Sequence, residues 1–354
     1  MDDIINISDL LINWYDKNAR ILPWRVLPRD RLMGKKADPY YIWISEIMLQ
    51  QTTVATVKNY YRRFIELWPT VIDLANANET EVMGEWAGLG YYARARNLVK
   101  CSRIITNQMN GQFPRTAHCL MQLPGIGPYT AAAIAAIAFN HQETVVDGNV
   151  ERVISRMFNI HDPLPISKPK IKSLAAKLTP VQRPGDYAQA IMDLGATICT
   201  PRKPNCQLCP WHNHCLAKVA GTATQLPRKS KKKIVVVRKG HVYIGRRQDG
   251  AWLMESRPNK GLLGGMLGWP GTDWLEVRPE ESPPCKGSWE CLSDELSHTF
   301  THFHLLLRVH WADLPNNVTP TRGFFLNAQS FNPSTLPTLM QKAYNAAFRM
   351  NNWR

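Results

Sequence analysis

Residues 123–153 restrict the possible folds of this chain more than any other stretch, because they read as turn, helix, turn and helix. Gly125 and Gly127 form a turn too tight for most side chains, and Pro128 suits the first turn of a helix. The alanine-rich run that follows consists of strong helix formers. A glycine turn that opens a helix is an anion site, since backbone N–H groups and the positive end of the helix dipole point to one place. On the glycines alone, an ordinary helical corner is the simpler interpretation.

The second turn of this stretch carries a carboxylate. Asp147 stands in an Asp-Gly-Asn turn, which follows two valines and precedes a helix predicted to begin near Val150. A carboxylate there can simply cap that helix. Next to an anion-binding turn, and with another carboxylate upstream, Asp147 is a candidate for chemistry on a nucleotide.

The upstream carboxylate is Glu46. Residues 43–48 place apolar side chains at helical spacing, and at 100° per residue Glu46 falls just outside the edge of the apolar arc. We therefore expect it to be half-buried, and burial raises the pKa of a carboxyl group toward the range useful to a general acid. A surface glutamate on the helix flank is the alternative. Leu49, Gln50 and Gln51 follow, an apolar side chain beside two amides that can hydrogen-bond base edges.

Charge and composition favour a nucleic-acid partner. The chain has 354 residues, a net charge of +15 and a pI near 9.5, which imply an anionic partner. We expect no membrane association, because no apolar segment is long enough to span a bilayer. The first residues lack the pattern of a signal or transit peptide, so we expect a cytoplasmic protein, nucleoid-associated in a bacterium.

Four of the eight cysteines are closely spaced, as C-x6-C-x2-C-x5-C. In a chain without an export signal they are better interpreted as thiols or metal ligands than as disulfides. Four thiolates this close satisfy one metal centre, which on spacing alone is either zinc or an iron–sulfur cluster. The ligands would be Cys199, Cys206, Cys209 and Cys215.

The sequence predicts two domains of different texture. Residues 1–216 are predicted to be mainly helical, with a first helix over 7–20 and a loop over 28–39. Residues 217–233 end in a run of basic residues typical of a linker.

The second predicted domain, residues 234–354, reads as α/β. We predict a hairpin that turns at Lys239 and Gly240, and alternating strands over residues 298–311. Residues 261–271 are rich in glycine and too broken for a helix.

Taken together, the motifs resemble those of the adenine DNA glycosylase family over nearly the whole chain. The matching stretches are WISEIMLQQT at 43–52, GLGYYARARNL at 88–98, LPGIGPYTA at 123–131, VDGNV at 146–150 and the four cysteines. The resemblance implies a helix-hairpin-helix glycosylase domain with a 4Fe–4S cluster, followed by a Nudix-like domain that reads the opposite base. It implies a double-stranded DNA substrate with adenine opposite 8-oxoguanine or guanine.

The resemblance also implies roles for particular residues. Glu46 matches the acid that protonates adenine at N7, and Asp147 matches the carboxylate that stabilises the sugar cation. Tyr129 and Asn149 match residues that assist around that centre. Further matches to residues that contact or enter the DNA are Leu49, Gln50, Gln51, Tyr91, Gly125 and Gly127.

Some positions depart from the family pattern. Phe300, Thr301 and His302 stand where the family has Phe-Ser-His, a loop that senses 8-oxoguanine, and threonine adds a methyl group there. The metal-binding helix of Nudix hydrolases has no counterpart, so we expect no hydrolysis of nucleoside diphosphates. Glu151 replaces a basic residue of some relatives.

Two other functions compete with adenine excision. Lyases of the endonuclease III type have a lysine where this chain has Tyr129, so we expect base excision without efficient strand cleavage. A catalytically weak DNA-binding protein of the same fold is the alternative, and the presence of both Glu46 and Asp147 argues against it. We expect a monomer.

Overall fold

The structure is a computed structural model that describes residues 2–50, 52–230, 236–258, 262–300 and 302–351. The chain forms two compact units, of which the second comprises residues 90–93 and everything described from 236 onward. Among the described residues, no helix has both the length and the apolar character needed to cross a membrane.

The first unit is helical, as predicted. Its helices are α1 (Asp2–Asn18), α2 (Pro28–Leu32), α3 (Pro39–Met48), α4 (Val54–Leu67), α5 (Val71–Asn76), α6 (Glu79–Glu85), α7 (Ala93–Met109), α8 (Ala117–Leu120), α9 (Pro128–Phe139), α10 (Gly148–Met157), α11 (Lys168–Leu178), α12 (Pro184–Thr197) and α13 (Leu216–Val219).

The alanine-rich helix α9 lies at the centre of this unit and packs against α3 and α12. Residues 130–137 are buried on every side. Small side chains are needed here because the backbones come close: a Cβ on Gly185 of α12 would lie 2.4 Å from the carbonyl oxygen of Ala136. The helix ends at Asn140, whose φ of +57° is the left-handed conformation common at helix C-termini.

Local signals fix the starts of the helices that matter for the site. Asp38 caps α3 by accepting a hydrogen bond from Tyr40 N, and Pro39 occupies its first turn. Gly127 and Pro128 begin α9 in the predicted way.

Two predictions about the first unit need correction. The predicted loop 28–39 contains α2, because Pro28 starts a helical turn there. The first unit also extends beyond the boundary predicted at 216. Ala217, Ala223 and Leu226 form a buried cluster against two of the cysteines, and Ser230 N donates to the carbonyl oxygen of Leu164. The apolar residues between the basic ones therefore hold this segment to the helical unit as far as 230, and 231–233 lie outside the described residues.

The second unit is built on one mixed sheet. Its strands are β1 (Val236–Arg247), β2 (Trp252–Ser256), β3 (Leu267–Gly268), β4 (Glu290–Cys291), β5 (Leu296–Thr299), β6 (Phe303–Leu314) and β7 (Phe324–Leu326). The strand order is β3-β2-β1-β6-β4, and β5 also pairs with β6 and β7 with β2. The long strands β1 and β6 are parallel, and the other pairs are antiparallel. Helix α14 (Thr338–Asn351) packs on the sheet and closes its apolar core.

The hairpin predicted at Lys239 and Gly240 is wrong, because β1 runs through both residues without a turn. Gly240 serves a different purpose: a Cβ there would lie 2.9 Å from Trp274 Cδ1. Residues 272–275 run alongside, and Lys239 N donates to the Leu275 carbonyl oxygen at 2.7 Å. The glycine thus allows a close approach rather than a reversal. The strands predicted over 298–311 correspond to the β5–β6 hairpin, and the described residues 262–271 contain no helix.

Candidate active site

Several helix ends of the first unit converge on one cavity of about 390 Å³. The structure brings six of the sequence-predicted residues to its wall, namely Glu46, Leu49, Gln50, Tyr129, Asp147 and Asn149. The rest of the lining is mixed, with apolar side chains such as Trp24 and Met192 beside polar or charged ones such as Arg25, Ser45 and Gln189. A concave pocket in which polar groups converge between apolar side chains is typical of a ligand-binding site.

Glu46 lies near the end of α3 and is more buried than the predicted half-burial, with 8% of its surface exposed. The apolar arc of α3 is wider than the sequence indicated, since residues 42–48 are all buried. The pKa of Glu46 is raised to about 7, chiefly by burial and in smaller part by the nearby charge of Asp147, while a hydrogen bond from Tyr129 and the charge of Arg25 oppose the rise. The carboxyl group is therefore largely protonated just below neutral pH, as a general acid requires.

Tyr129 lies in the first turn of α9, where the glycine turn places it in the cavity. Its hydroxyl group hydrogen-bonds the Glu46 carboxyl group, and burial raises the pKa of this phenol well above its usual value. The hydroxyl also lies 3.7 Å from Met192 Sδ. Tyr129 thus remains a neutral donor that holds Glu46 in place.

Asp147 is the N-cap of α10, which confirms the interpretation that this carboxylate caps the helix. Oδ1 accepts a hydrogen bond of 2.8 Å from Val150 N, and Oδ2 accepts one of 2.8 Å from Asn149 Nδ2. The same carboxylate also lines the cavity that contains Glu46. The helix N-terminus thus fixes the carboxylate and leaves it in the wall of the pocket.

Arg152, which the sequence analysis did not identify, connects this centre to the cysteine loop. Its guanidinium group donates to Asn149 Oδ1 at 2.9 Å and to the carbonyl oxygens of Cys199 and Gly195 at 2.8 and 2.7 Å. Asn149 in turn donates to Asp147. The residue is three positions after Asn149, one helical turn on, which is the only sequence signal for it.

The glycine turn has the predicted form. Gly125 has a φ of +78°, and a Cβ there would lie 2.7 Å from Asn97 Cβ, so both conformation and space require glycine. Gly127 stands at the N-cap of α9, where no side chain caps the helix. Both glycines are exposed, which leaves the turn accessible to a phosphate.

Arg94, a second residue absent from the predictions, holds the segment after α3 in place. Arg94 donates through Nη1 to the carbonyl oxygens of Ile47 and Gln50 at 2.7 and 2.6 Å, and its guanidinium group lies 5.7 Å from the ring centre of Trp86. Gln50 also donates to Thr130 Oγ1, at 3.4 Å. Gln51 lies outside the described residues. Tyr91 has a φ of +49° and is 52% exposed.

Arg25 lines the pocket and belongs to an ion-pair cluster that no sequence signal indicated. Its Nη1 lies 2.6 Å from Asp193, a fully buried carboxylate that also binds Arg20 at 2.6 Å. The partners are more than 160 positions apart, so no local pattern reveals them. Glu151 is likewise paired, with Lys168 Nζ at 2.8 Å.

The four predicted metal ligands line one small cavity. All four are of intermediate exposure, and none of them forms a disulfide. Arg156, itself buried, donates to Cys199 Sγ at 3.3 Å and to the carbonyl oxygens of Thr200 and Pro201. Four thiols around one cavity, with a cation to offset thiolate charge, fit an iron–sulfur cluster.

Phe300 and His302, two of the residues predicted to read the opposite base, lie at the β5–β6 turn of the second unit. The ring of Phe300 stacks with that of Trp274, with ring centres 5.7 Å apart. The backbone N–H of Phe300 donates a hydrogen bond to the Phe303 carbonyl oxygen. His302 is exposed, and Thr301 lies outside the described residues.

Comparison with known proteins identifies three family models along the chain. Residues 44–180 match the HhH-GPD superfamily of base excision DNA repair proteins, residues 199–215 match the iron-sulfur binding domain of endonuclease III, and residues 241–346 match the NUDIX domain. These matches confirm the predicted fold class, and the cysteine loop binds the predicted 4Fe–4S cluster rather than zinc.

Individual relatives agree with these matches. The chain is 35% identical to the adenine DNA glycosylase of Homo sapiens, over 94% of this chain and 72% of that protein. It is 46% identical to the adenine DNA glycosylase of Mus musculus, over 61% of this chain and 42% of the mouse protein. A solved thermostable thymine-DNA glycosylase superimposes on 62% of this chain with a TM-score of 0.54 and 29% identity, over 98% of its own length.

Proposed function

Because the chain belongs to the family of adenine DNA glycosylases, we propose that it removes adenine paired with 8-oxoguanine or guanine in duplex DNA. The protein is a DNA N-glycosylase of base excision repair, and the bond broken is the N-glycosidic bond. The product is an abasic site. The observation that supports this proposal most strongly is the presence of a buried Glu46 and of Asp147 in one cavity.

The first step assigned to the pocket is protonation of the base. Adenine is a poor leaving group, so it must be flipped out of the stack and protonated as the glycosidic bond lengthens. Glu46, whose pKa is raised to about 7 by burial, holds the required proton at neutral pH and transfers it to N7. Tyr129 orients the carboxyl group through its hydrogen bond.

The second step is stabilisation of the sugar. As adenine leaves, the deoxyribose gains oxocarbenium character, which a nearby carboxylate stabilises. Asp147 is fixed for this role by Val150 N and Asn149. Water then adds to the sugar carbon and loses a proton to the Glu46 carboxylate, which restores the acid and yields the abasic site.

We propose that the second unit recognises the base opposite adenine. Phe300 and His302 lie in its β5–β6 turn, and the stacked pair Phe300 and Trp274 forms an aromatic group beside that turn. The net charge of +15 favours a duplex DNA partner.

The proposed enzyme is monofunctional. Strand cleavage by a lyase needs an amine to form a Schiff base with the sugar. Tyr129 supplies a phenol at the position where the resemblance places that lysine.

A single-turnover assay tests the proposed function. Duplexes with adenine opposite 8-oxoguanine, guanine or thymine are incubated with excess protein, and each sample is divided into portions with and without alkali. We expect rapid excision opposite 8-oxoguanine and guanine and none opposite thymine, with strand breaks only after alkali. Duplex binding without excision would support the DNA-binding alternative, and strand breaks without alkali would contradict the monofunctional assignment.

We further propose that the protein acts as a monomer in the cytoplasm, associated with the nucleoid of a bacterium. The basic charge supports association with DNA. Sedimentation of the protein with and without duplex tests the monomer, and fluorescence microscopy of a tagged chain tests the location. A stable dimer in sedimentation, or exclusion from the nucleoid, would contradict these proposals.

A further inference from the structure

The second unit contains two histidines that the proposed function does not use. His241 of β1 and His310 of β6 are both buried, with 1% and 2% of their surfaces exposed. Their rings face each other: His241 Nδ1 lies 2.8 Å from His310 Nε2. Glu281 approaches the same point, so that one ligand atom from each of the three residues lies within 4.8 Å of the other two.

The hydrogen bonds around His241 determine which nitrogen offers its lone pair. Nε2 lies 3.1 Å from the carbonyl oxygen of Pro279, and a carbonyl oxygen only accepts, so Nε2 carries the proton. Nδ1 is therefore unprotonated and faces His310 and Glu281. A ring N–H that donates to a backbone carbonyl is the usual way in which a metal-binding histidine is oriented.

The surroundings favour the neutral, metal-binding form of both rings. Burial lowers the pKa of His241 and of His310. Two cations lie near, Arg278 and Arg308, but both are close to the carboxylate of Glu295, so their charge is partly offset. In the described part of the chain, Glu281 has no ion-pair partner of its own.

The segment that carries Glu281 is held against the sheet. Ser282 N donates to the Tyr243 hydroxyl group at 2.7 Å, and Arg322 donates to the Ser282 carbonyl oxygen at 2.7 Å. The Tyr243 ring stacks on His310, with centres 4.8 Å apart. The fold therefore holds the exposed Glu281 close to the two buried rings.

We propose that His241, His310 and Glu281 form a binding site for a divalent transition metal ion of the zinc type. Two imidazoles and one carboxylate are a common ligand set for zinc, with water in the fourth position. Nitrogens on one zinc ion are roughly 3.3 Å apart, from bonds of about 2.0–2.1 Å in tetrahedral geometry. The ion would thus replace the proton shared by the two rings and move the two nitrogens about half an ångström further apart. Bound there, it would fasten residues 279–282 to the sheet.

Zinc titration of the full-length protein tests this site. Protein with a fully loaded cluster, freed of added metal, is titrated with zinc chloride in a calorimeter, and bound zinc is counted by elemental analysis. We expect one zinc ion per chain in the wild type, its loss in His310→Asn and His241→Asn, and at least tenfold weaker binding in Glu281→Gln. His298→Asn, a histidine of the same unit outside the trio, is the matched control and retains the ion.

The ligand type is checked independently by zinc X-ray absorption. We expect nitrogen and oxygen neighbours at about 2.0–2.2 Å and no sulfur at about 2.3 Å. A sulfur shell would place the ion at a cysteine and overturn the proposal, as would no binding, or unchanged binding in either histidine variant or in Glu281→Gln. Should circular dichroism show that the histidine variants are misfolded, the exposed Glu281→Gln decides the question alone.

Discussion

The burial of Glu46 predicts that this residue makes the folded protein less stable at alkaline pH. The folded state raises the pKa of this carboxyl group from 4.5 to about 7, so it retains a proton that the unfolded chain releases. The cost therefore begins as pH rises above 4.5 and is complete once pH exceeds about 7. At 1.36 kcal/mol per pKa unit, it reaches about 3 kcal/mol. Glu46→Gln, which is neutral and of the same shape, avoids this cost.

We expect Glu46→Gln to be more stable than the wild type at pH 8 by up to about 3 kcal/mol, and nearly equal to it at pH 4.5. For a unit of this size the gain corresponds to a rise in Tm of roughly 6–12 °C. Thermal unfolding followed by circular dichroism at both pH values measures it. Glu66→Gln is the control, because that side chain is 71% exposed and its replacement has little effect at either pH. A difference between Glu46→Gln and the wild type that does not change with pH, or a less stable variant at pH 8, would show that burial of Glu46 does not raise its pKa.

Three further predictions concern the surroundings of the carboxylates. The excision rate falls as pH rises above about 7, and Tyr129→Phe moves this fall to higher pH by about one unit, because the lost hydrogen bond had lowered the pKa of Glu46. Single-turnover rates from pH 6 to 9 measure the shift. Tyr187→Phe is the control and leaves the profile unchanged, because the Tyr187 hydroxyl group has no partner among the described residues. Asp193→Asn lowers stability by about 3–5 kcal/mol, since it leaves a buried guanidinium group unpaired; an unchanged Tm would contradict this. Arg152→Lys lowers the excision rate by up to about 10²-fold at full iron content, because the lysine cannot bind both Asn149 and the cysteine loop. A normal rate would show that this link is dispensable.

Local chemistry made much of the first unit predictable. The glycine turn, the proline that starts α9 and the Asp147 cap are short-range signals, and each lies where the sequence placed it. The four cysteines were predictable for the same reason, since a metal centre needs closely spaced ligands.

The features that the sequence did not reveal depend on contacts between residues far apart in the chain. The burial of Glu46 depends on α9 lying across α3, which the apolar arc of one helix does not encode. Asp193 and its arginines are distant in sequence, as are His241 and His310. The hairpin prediction at Gly240 failed because glycine marks a close approach of Trp274 as readily as it marks a turn.

Whether Glu46 and Asp147 act together on the glycosidic bond of adenine is best measured with Asp147→Asn. Asparagine can still accept the hydrogen bond from Val150 N, so the cap and the fold persist while the negative charge is removed. In single-turnover reactions on a duplex with adenine opposite 8-oxoguanine, we predict a loss of rate on the order of 10²–10³-fold with duplex affinity unchanged. A variant that releases adenine within twofold of the wild-type rate would contradict the account.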